Sequence, residues 1–145
     1  MESHTRQLCT FHVGDLFLGI DVQQVQEVFR YQKMTRVPLA PGAVRGLINL
    51  RGQIVTAIDL RTRLGLPPHA DDRLPMNVVV RGDDGAVTLL VDEIGDVQEV
   101  DAEAFERPPE TLRGRVRELI VGTYKLADRL LLVLDTTQAL QLQTA

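Results

Sequence analysis

The chain has 145 residues and is poor in the side chains that catalysis and base stacking require. It contains one cysteine, one serine and no tryptophan, and aromatic residues make up only 4%. A single cysteine, Cys9, excludes an intrachain disulfide, and a lone serine, Ser3, excludes the Gly-x-Ser-x-Gly motif of serine hydrolases. Cys9 lies in a run with strand-like alternation, which favours a small buried side chain over a reactive thiol.

Long apolar runs and an excess of positive charge are also missing. The longest apolar stretches, such as 130–134, are far shorter than the ~20 residues of a membrane-spanning helix. The first seven residues lack the apolar core of a signal peptide, and the formal net charge of −4 argues against nucleic-acid binding. We therefore expect a cytoplasmic protein that neither inserts directly into a membrane nor binds nucleic acid.

Signatures of cofactor and metal sites are absent from the sequence. There is no phosphate-binding Gly-x-x-x-x-Gly-Lys loop and no Gly-x-Gly-x-x-Gly motif. The three histidines, His4, His12 and His69, lie far apart and lack the spacing of metal ligands. We expect neither a cofactor nor a bound metal.

Short strands dominate what is present. Apolar and polar residues alternate within many short runs, and glycine-containing turns separate several of them, as in β-hairpins. Strands are predicted over 8–13, 16–20, 44–50, 53–58, 77–81, 86–91, 117–125 and 130–134. Short helices are predicted over 22–28, 60–64 and 136–143, after the N-cap residues Asp21, Asp59 and Asp135. Loops are predicted over 38–42, 67–75 and 101–116.

An internal repeat indicates a duplicated unit. The tetrapeptide Val-Gln-Glu-Val occurs at 25–28 and again at 97–100, and each copy follows a strand that ends in an apolar residue and aspartate. Because a unit of ~70 residues buries little core alone, the two units are expected to pack together or to exchange strands. The sequence predicts a single domain, 1–145, that is mainly β, with two small barrels and approximate halves at 8–70 and 76–142.

Two functions can be compared with the residues present, a small hydrolase of the aspartic-protease type and a ligand-binding barrel. Asp135-Thr136-Thr137 is similar to the Asp-Thr-Gly of aspartic proteases, which would make Asp59 and Asp135 a catalytic pair. Asp59 lacks the small following residues that such a pair needs, so helix capping by both aspartates is favoured. A ligand-binding barrel would need an apolar cavity with convergent polar groups, and no residues single one out.

Two features favour binding of a partner over catalysis. Val22, Val25 and Val28 recur every third residue, and this stripe either packs into the core or forms an exposed binding surface. Arg51 lies in the turn Asn49-Leu50-Arg51-Gly52, where a bidentate pair with Glu27 would make it a fixed anchor. Spacing along the chain does not establish that pair.

The run Val44-Arg45-Gly46-Leu47-Ile48-Asn49-Leu50-Arg51-Gly52-Gln53-Ile54-Val55 closely resembles the signature of the CheW family, the coupling proteins of bacterial chemotaxis. The resemblance continues through Ile58-Asp59-Leu60, the valine-rich segment 19–28 and the strand 130–134, so that it covers roughly 8–142. It implies two SH3-like five-stranded β-barrel subdomains packed together with a few short helices, and no enzymatic activity.

The resemblance also implies two partners and a set of contact residues. The adaptor would join the cytoplasmic tips of chemoreceptors to the regulatory domain of a CheA-type histidine kinase, and it would be recruited from the cytoplasm to membrane-associated receptor arrays. The receptor tip is a helical hairpin that would lie in an apolar groove between the barrels. The receptor-binding residues implied by the motif are Val22, Val25, Glu27, Val28, Arg51 and Val97.

Two departures from the family pattern leave the pathway open. The segment 29–34 is bulkier and more basic than expected for its loop, and the second half of the chain is acidic, with Asp96 beside Val97. A parallel receptor–kinase pathway, outside chemotaxis, is the alternative. The length leaves no room for a kinase or receiver domain, so a stand-alone coupling protein is expected.

Overall fold

The computed structural model describes residues 4–40, 42–67, 74–83 and 85–141. These residues form ten strands, three short α-helices and two single turns of 3-10 helix. The strands are β1 (Thr5–Val13), β2 (Leu16–Asp21), β3 (Val25–Phe29), β4 (Val44–Leu50), β5 (Gln53–Asp59), β6 (Met76–Gly82), β7 (Gly85–Val91), β8 (Glu93–Asp101), β9 (Ile120–Lys125) and β10 (Leu130–Leu134). The α-helices are α1 (Leu60–Arg63), α2 (Gly114–Leu119) and α3 (Thr136–Leu140), and the 3-10 turns are Val22–Gln24 and Ala102–Ala104.

The strands form two five-stranded sheets that each combine both halves of the sequence. The order β8-β1-β2-β10-β9 defines the terminal sheet, and the order β3-β6-β7-β5-β4 defines the central sheet. The halves 8–70 and 76–142 therefore each contribute strands to both sheets. The predicted class, mainly β with two five-stranded units and a few short helices, is confirmed, while closure of each sheet into a barrel stays a prediction.

The two sheets have the same topology when the repeated segments are matched. Strands β1 to β5 correspond in order to β6 to β10, and this correspondence converts one sheet order into the other. The pairing directions agree as well, because β10 lies parallel to β2 just as β5 lies parallel to β7, and the other pairs are antiparallel. Each repeat thus gives its first two strands to one sheet and its last three to the other.

In each sheet, the segment that follows one edge strand forms a single antiparallel bridge to the opposite edge strand. The bridge runs from the segment after β3 to β4, and from the segment after β8 to β9. Thr35 pairs with Leu47 of β4, and Glu106 pairs with Thr123 of β9. A glycine precedes each bridged β-strand residue, and a Cβ there would collide with the segment that crosses it: Thr35 in the case of Gly46, and the Phe105 ring in the case of Gly122. The glycines allow the edges of each curled sheet to approach.

The described residues form three buried apolar clusters. The largest, called here the shared core, contains residues of both sheets, such as Phe11 and Ile20 of the terminal sheet and Val80 and Leu89 of the central sheet. The second lies within the terminal sheet around Tyr124, and the third lies within the central sheet. Because side chains alternate along a strand, one face of each sheet joins the shared core while the other fills its own interior.

The structure corrects the secondary structure expected for several segments. The predicted helix over 22–28 is wrong, since a single 3-10 turn is followed by strand β3, although the Asp21 side chain does accept the N-capping bond from Gln23 N–H at 2.9 Å. The predicted loop over 101–116 contains a 3-10 turn and the start of α2, which also occupies the first part of the predicted strand 117–125. Strand β8 is an additional strand. Pro41, residues 68–73 and residues 142–143 of the other predicted segments lie outside the described residues.

One ion pair fastens the exchanged strands to each other. The Arg61 side chain, on α1, donates two hydrogen bonds to the Asp92 carboxylate, at 3.0 and 2.9 Å. Asp92, between β7 and β8, also accepts from the Gly14 N–H in the β1–β2 turn at 2.6 Å. Both side chains are largely shielded, with 15% and 10% exposure, and the bond to Asp92 raises the pKa of Arg61.

Replacement of Arg61 by alanine is expected to lower the free energy of unfolding by about 2–4 kcal/mol, because the shielded Asp92 carboxylate would lose two charge-assisted hydrogen bonds. Lys125→Ala is the matched control, since the Lys125–Glu106 pair at 3.4 Å is largely exposed and is worth at most about 1 kcal/mol. Urea denaturation of both variants measures the difference. Equal losses would show that the Arg61 pair does not fasten the strands.

Candidate partner-binding site

The turn between β4 and β5 holds Arg51 in an uncommon backbone conformation. Arg51 and Gly52 are its two central residues, with φ values of 55° and 89°, and Leu50 pairs with Gln53 across it. Two positive φ angles in a two-residue hairpin loop are the pattern of a type I′ turn. The Asn49 side-chain oxygen accepts a bond from Gly52 N–H at 2.9 Å, which locks the turn.

Arg51 forms a bidentate pair with Glu27, a contact that spacing along the sequence does not establish. The two terminal nitrogens of its guanidinium donate to the two carboxylate oxygens of Glu27, at 3.3 and 3.0 Å. Glu27 lies on edge strand β3 and Arg51 beyond edge strand β4, so the contact connects opposite edges of the curled central sheet. Glu27 is only 22% exposed at its side chain but Arg51 is 80% exposed, which leaves Arg51 fixed in place and open to a partner.

A β-bulge places two valines of β3 on the same face. The register shifts between Val25, opposite Val80, and Glu27, opposite Val79, and Val28 follows opposite Val78. Directly paired residues project from the same face of a sheet, so Val25 and Val28 share the face of Val78 and Val80, which belong to the shared core. Glu27 projects from the opposite face.

The valines differ in how much of each is covered. Val22 and Val25 are half-buried and pack against the shared core, whereas Val28 is 41% exposed. Val97 is 59% exposed on β8, the edge strand of the terminal sheet, where it pairs with Cys9 of the shared core. We call these four residues the valine surface; it comprises Val22, Val25, Val28 and Val97.

The structure therefore brings Glu27 and Arg51 into direct contact. The four valines do not lie on one helix: two of them pack against the shared core, and the other two pair with strand residues that belong to it. The stripe is neither wholly packed in the core nor wholly exposed, because Val22 and Val25 are half-buried while Val28 is exposed. The identical tetrapeptides also differ in orientation. Glu99 of the second copy is exposed and shares a face with Val97 by strand alternation, unlike Glu27 in the first copy.

The candidates for catalysis are occupied in other ways. Asp59 ends a strand of the central sheet, where its carboxylate accepts from Arg45 Nε at 3.0 Å and from Arg61 N–H at 2.9 Å. Asp135 follows β10 of the terminal sheet and caps α3 by accepting from Gln138 N–H at 3.1 Å. Each aspartate caps its own helix, so the two carboxylates do not form the proton-sharing pair of an aspartic protease.

The remaining reactive side chains give no other site among the described residues. Cys9 is buried, and burial raises the pKa of its thiol, which favours the protonated, unreactive form. His4 is exposed and His12 is half-buried, while His69 lies outside the described residues. In the part of the chain that the structure describes, no group of three His, Cys, Asp or Glu residues is placed to hold a metal ion.

Two surface cavities are lined by residues other than the predicted contact residues, although Gln24, between Val22 and Val25, borders the first. One, of about 440 Å³, is bordered by the β6–β7 turn, β5 and α3, and the other, of about 390 Å³, is bordered by the β1–β2 turn, the start of β10 and residues 109–112. The six predicted receptor-contact residues line neither cavity. No helix of the described ranges is long and apolar enough to span a membrane.

Comparison with known proteins agrees with this architecture. A family model described as a CheW-like domain matches residues 7–144. The chemotaxis protein CheW of Treponema pallidum is 32% identical over 133 residues, which cover 89% of this chain and 78% of that protein. The chemotaxis protein CheW of Bacillus subtilis is 32% identical over 139 residues, which cover 96% of this chain and 89% of that protein.

A solved structure has the same fold. The crystal structure of the scaffolding protein TtCheW from Thermoanaerobacter tengcongensis is similar with a TM-score of 0.85 and 24% sequence identity. The similarity covers 97% of this chain and 95% of that chain. At this level of identity the likeness concerns the fold, and the family assignment depends on the sequence matches.

Arg51→Asn is expected to keep or slightly raise the free energy of unfolding, because asparagine tolerates the left-handed conformation and Asn-Gly is the preferred type I′ pair. The lost Glu27 contact is exposed on the Arg51 side and contributes at most about 1 kcal/mol. Gly52→Ala is the matched control and should cost about 1–2 kcal/mol at its φ of 89°. Thermal unfolding followed by circular dichroism compares them. A large loss from Arg51→Asn would mean that Arg51 serves the stability of the turn.

Proposed function

This chain belongs to the CheW family of chemotaxis coupling proteins, which are non-catalytic scaffolds, and we propose that it joins the cytoplasmic tips of chemoreceptors to the regulatory domain of a CheA-type histidine kinase. The observation that carries the proposal is the exposed Arg51 side chain fixed by Glu27 at an edge of the central sheet. Edge strand β3 contributes both Glu27 and the exposed Val28. A fixed charge and an exposed apolar side chain on the same edge strand fit recognition of an amphipathic helix.

The receptor side of the proposal rests on the valine surface. A chemoreceptor tip is a hairpin of two helices, and its apolar residues at helical spacing would cover Val28 and Val97, whose exposure is 41% and 59%. Val22 and Val25 form the floor of this surface, since both already pack against the shared core. Arg51 has guanidinium N–H groups beyond the two that bond Glu27, and these would donate to the helix backbone or to a polar side chain.

The kinase side of the proposal requires a second, separate surface. A coupling protein must hold receptor and kinase at the same time, so the regulatory domain of the kinase would bind away from the valine surface. The complex would assemble on the cytoplasmic side of membrane-associated receptor arrays. Single contacts of modest affinity are sufficient there, because the many linked copies in an array raise the effective concentration of each partner.

Val28→Asp and Val97→Asp are each expected to abolish receptor binding while the protein stays folded, because both side chains are exposed before binding and become buried on binding. Arg51→Glu should lower receptor affinity by about tenfold or more, because the new carboxylate repels Glu27 and the guanidinium hydrogen-bond donor is lost. Val121→Asp is the matched control, because Val121 is 45% exposed on β9, at the opposite edge of the terminal sheet from β8. Co-sedimentation with receptor-containing membranes, with and without the kinase, measures all four variants.

Circular dichroism spectra of the four variants check that each is folded. The proposal would be contradicted if Val121→Asp reduced receptor binding as strongly as Val28→Asp and Val97→Asp, or if the unaltered chain failed to recruit the kinase to the membranes. The first result would show that the valine surface is not the receptor site, and the second would show that the chain does not couple receptor to kinase.

A further inference from the structure

The segment that follows β3 carries positive charge and contains no carboxylate of its own. Residues 28–58 contain five Lys and Arg residues and no Asp or Glu. Arg30, Lys33 and Arg36 are exposed, and none of the three pairs with a carboxylate of the described residues. The Asn77 side chain donates to the Arg30 carbonyl at 3.2 Å, which holds this basic segment next to Val28.

Strand β8, which corresponds to β3 in the second repeat, and the turn after it carry exposed negative charge. Asp96 and Glu99 of β8 are exposed, as are Asp101 and Glu103 at the start of the following 3-10 turn. None of these four carboxylates pairs with a cation of the described residues. Strand alternation places Glu99 and Asp101 on the same face as Val97, so the acidic row continues directly from the exposed valine.

The two charged segments adjoin matching edge strands of the duplicated fold. Strands β3 and β8 are matching edge strands of the central and terminal sheets, and each carries one exposed valine, Val28 or Val97. The valine surface therefore has a basic flank, Arg30, Lys33 and Arg36, and an acidic flank, Asp96, Glu99, Asp101 and Glu103. A partner that covers the valines brings its own charges next to both flanks.

We propose, on the premise that the valine surface binds a receptor hairpin, that the opposite charges of its flanks select the hairpin and fix its orientation. The preferred hairpin carries carboxylates on the helix that lies along β3 and lysine or arginine on the helix that lies along β8. A hairpin inserted the other way would place like charges together on both flanks at once. Electrostatic complementarity of this kind fixes register and rejects wrong partners more than it adds affinity.

The test uses the full chain and a chemoreceptor cytoplasmic-tip fragment that binds it, titrated at about 50 mM and about 500 mM salt. The basic flank is reversed in Arg30→Glu/Lys33→Glu, and the acidic flank is reversed in Asp96→Lys/Glu99→Lys. Charge-matched controls reverse exposed residues elsewhere, in Arg107→Glu/Arg113→Glu and Glu110→Lys/Glu118→Lys. Thermal unfolding confirms that each variant is folded.

Each flank variant is expected to bind about tenfold more weakly at low salt, and high salt should shrink that loss because the Debye length falls from more than 10 Å to a few ångströms. The controls should stay within about twofold. The variant with both flanks reversed should regain binding when the acidic and basic rows of the receptor fragment are exchanged. That recovery is specific to charge complementarity, since a variant that had only lost its structure would not regain binding.

Two results would overturn the inference, and they are distinguishable. If both flank variants bind like their controls while Val28→Asp abolishes binding, the adaptor function stands and the flank charges do not select the partner. If the unaltered chain binds no fragment from any chemoreceptor tested, the proposed function fails and the inference fails with it.

Discussion

Each half of this chain completes the sheet of the other half, and the rest of the structure depends on that exchange. Strands β1 and β2 join β8 to β10, while β6 and β7 join β3 to β5. A half of ~70 residues has too little interior to be stable alone, and the exchange gives the two halves a shared core in addition to the interior of each sheet. The Arg61–Asp92 pair fastens the exchanged strands at the turn between β1 and β2.

The same exchange determines where a partner can bind. It leaves β3 and β8 as edge strands of different sheets that both contact the shared core, so each presents an exposed valine next to a rigid interior. Rigid elements hold a binding residue more accurately than loops do. Arg51 belongs to a turn, but its bidentate contact with Glu27 fixes it to β3, and the proposed receptor site gains a positioned charge by that contact.

Strands with a clear apolar pattern were predicted more accurately than strand β3. The bounds of β4 and β10 agree with the expected 44–50 and 130–134, because runs rich in apolar residues between turn residues are typical of strands. Strand β3 was expected to be helical, since a 3-10 turn followed by a bulge spaces Val22, Val25 and Val28 by three residues, as a helix does. The Glu27–Arg51 contact depends on the curl of the sheet, which local spacing does not encode. Of the basic flank, the sequence showed only that the segment 29–34 is more basic than expected for its loop.

The central claim is that the valine surface between the two exchanged units is where a receptor hairpin binds. The most direct measurement is the change in valine and isoleucine methyl NMR shifts when a chemoreceptor cytoplasmic-tip fragment is added to the full chain. The account predicts large changes at Val22, Val25, Val28 and Val97, and little change at Val121, which is 45% exposed on β9 at the far edge of the terminal sheet. Changes that cluster at Val121, with the four valines unaffected, would contradict the account.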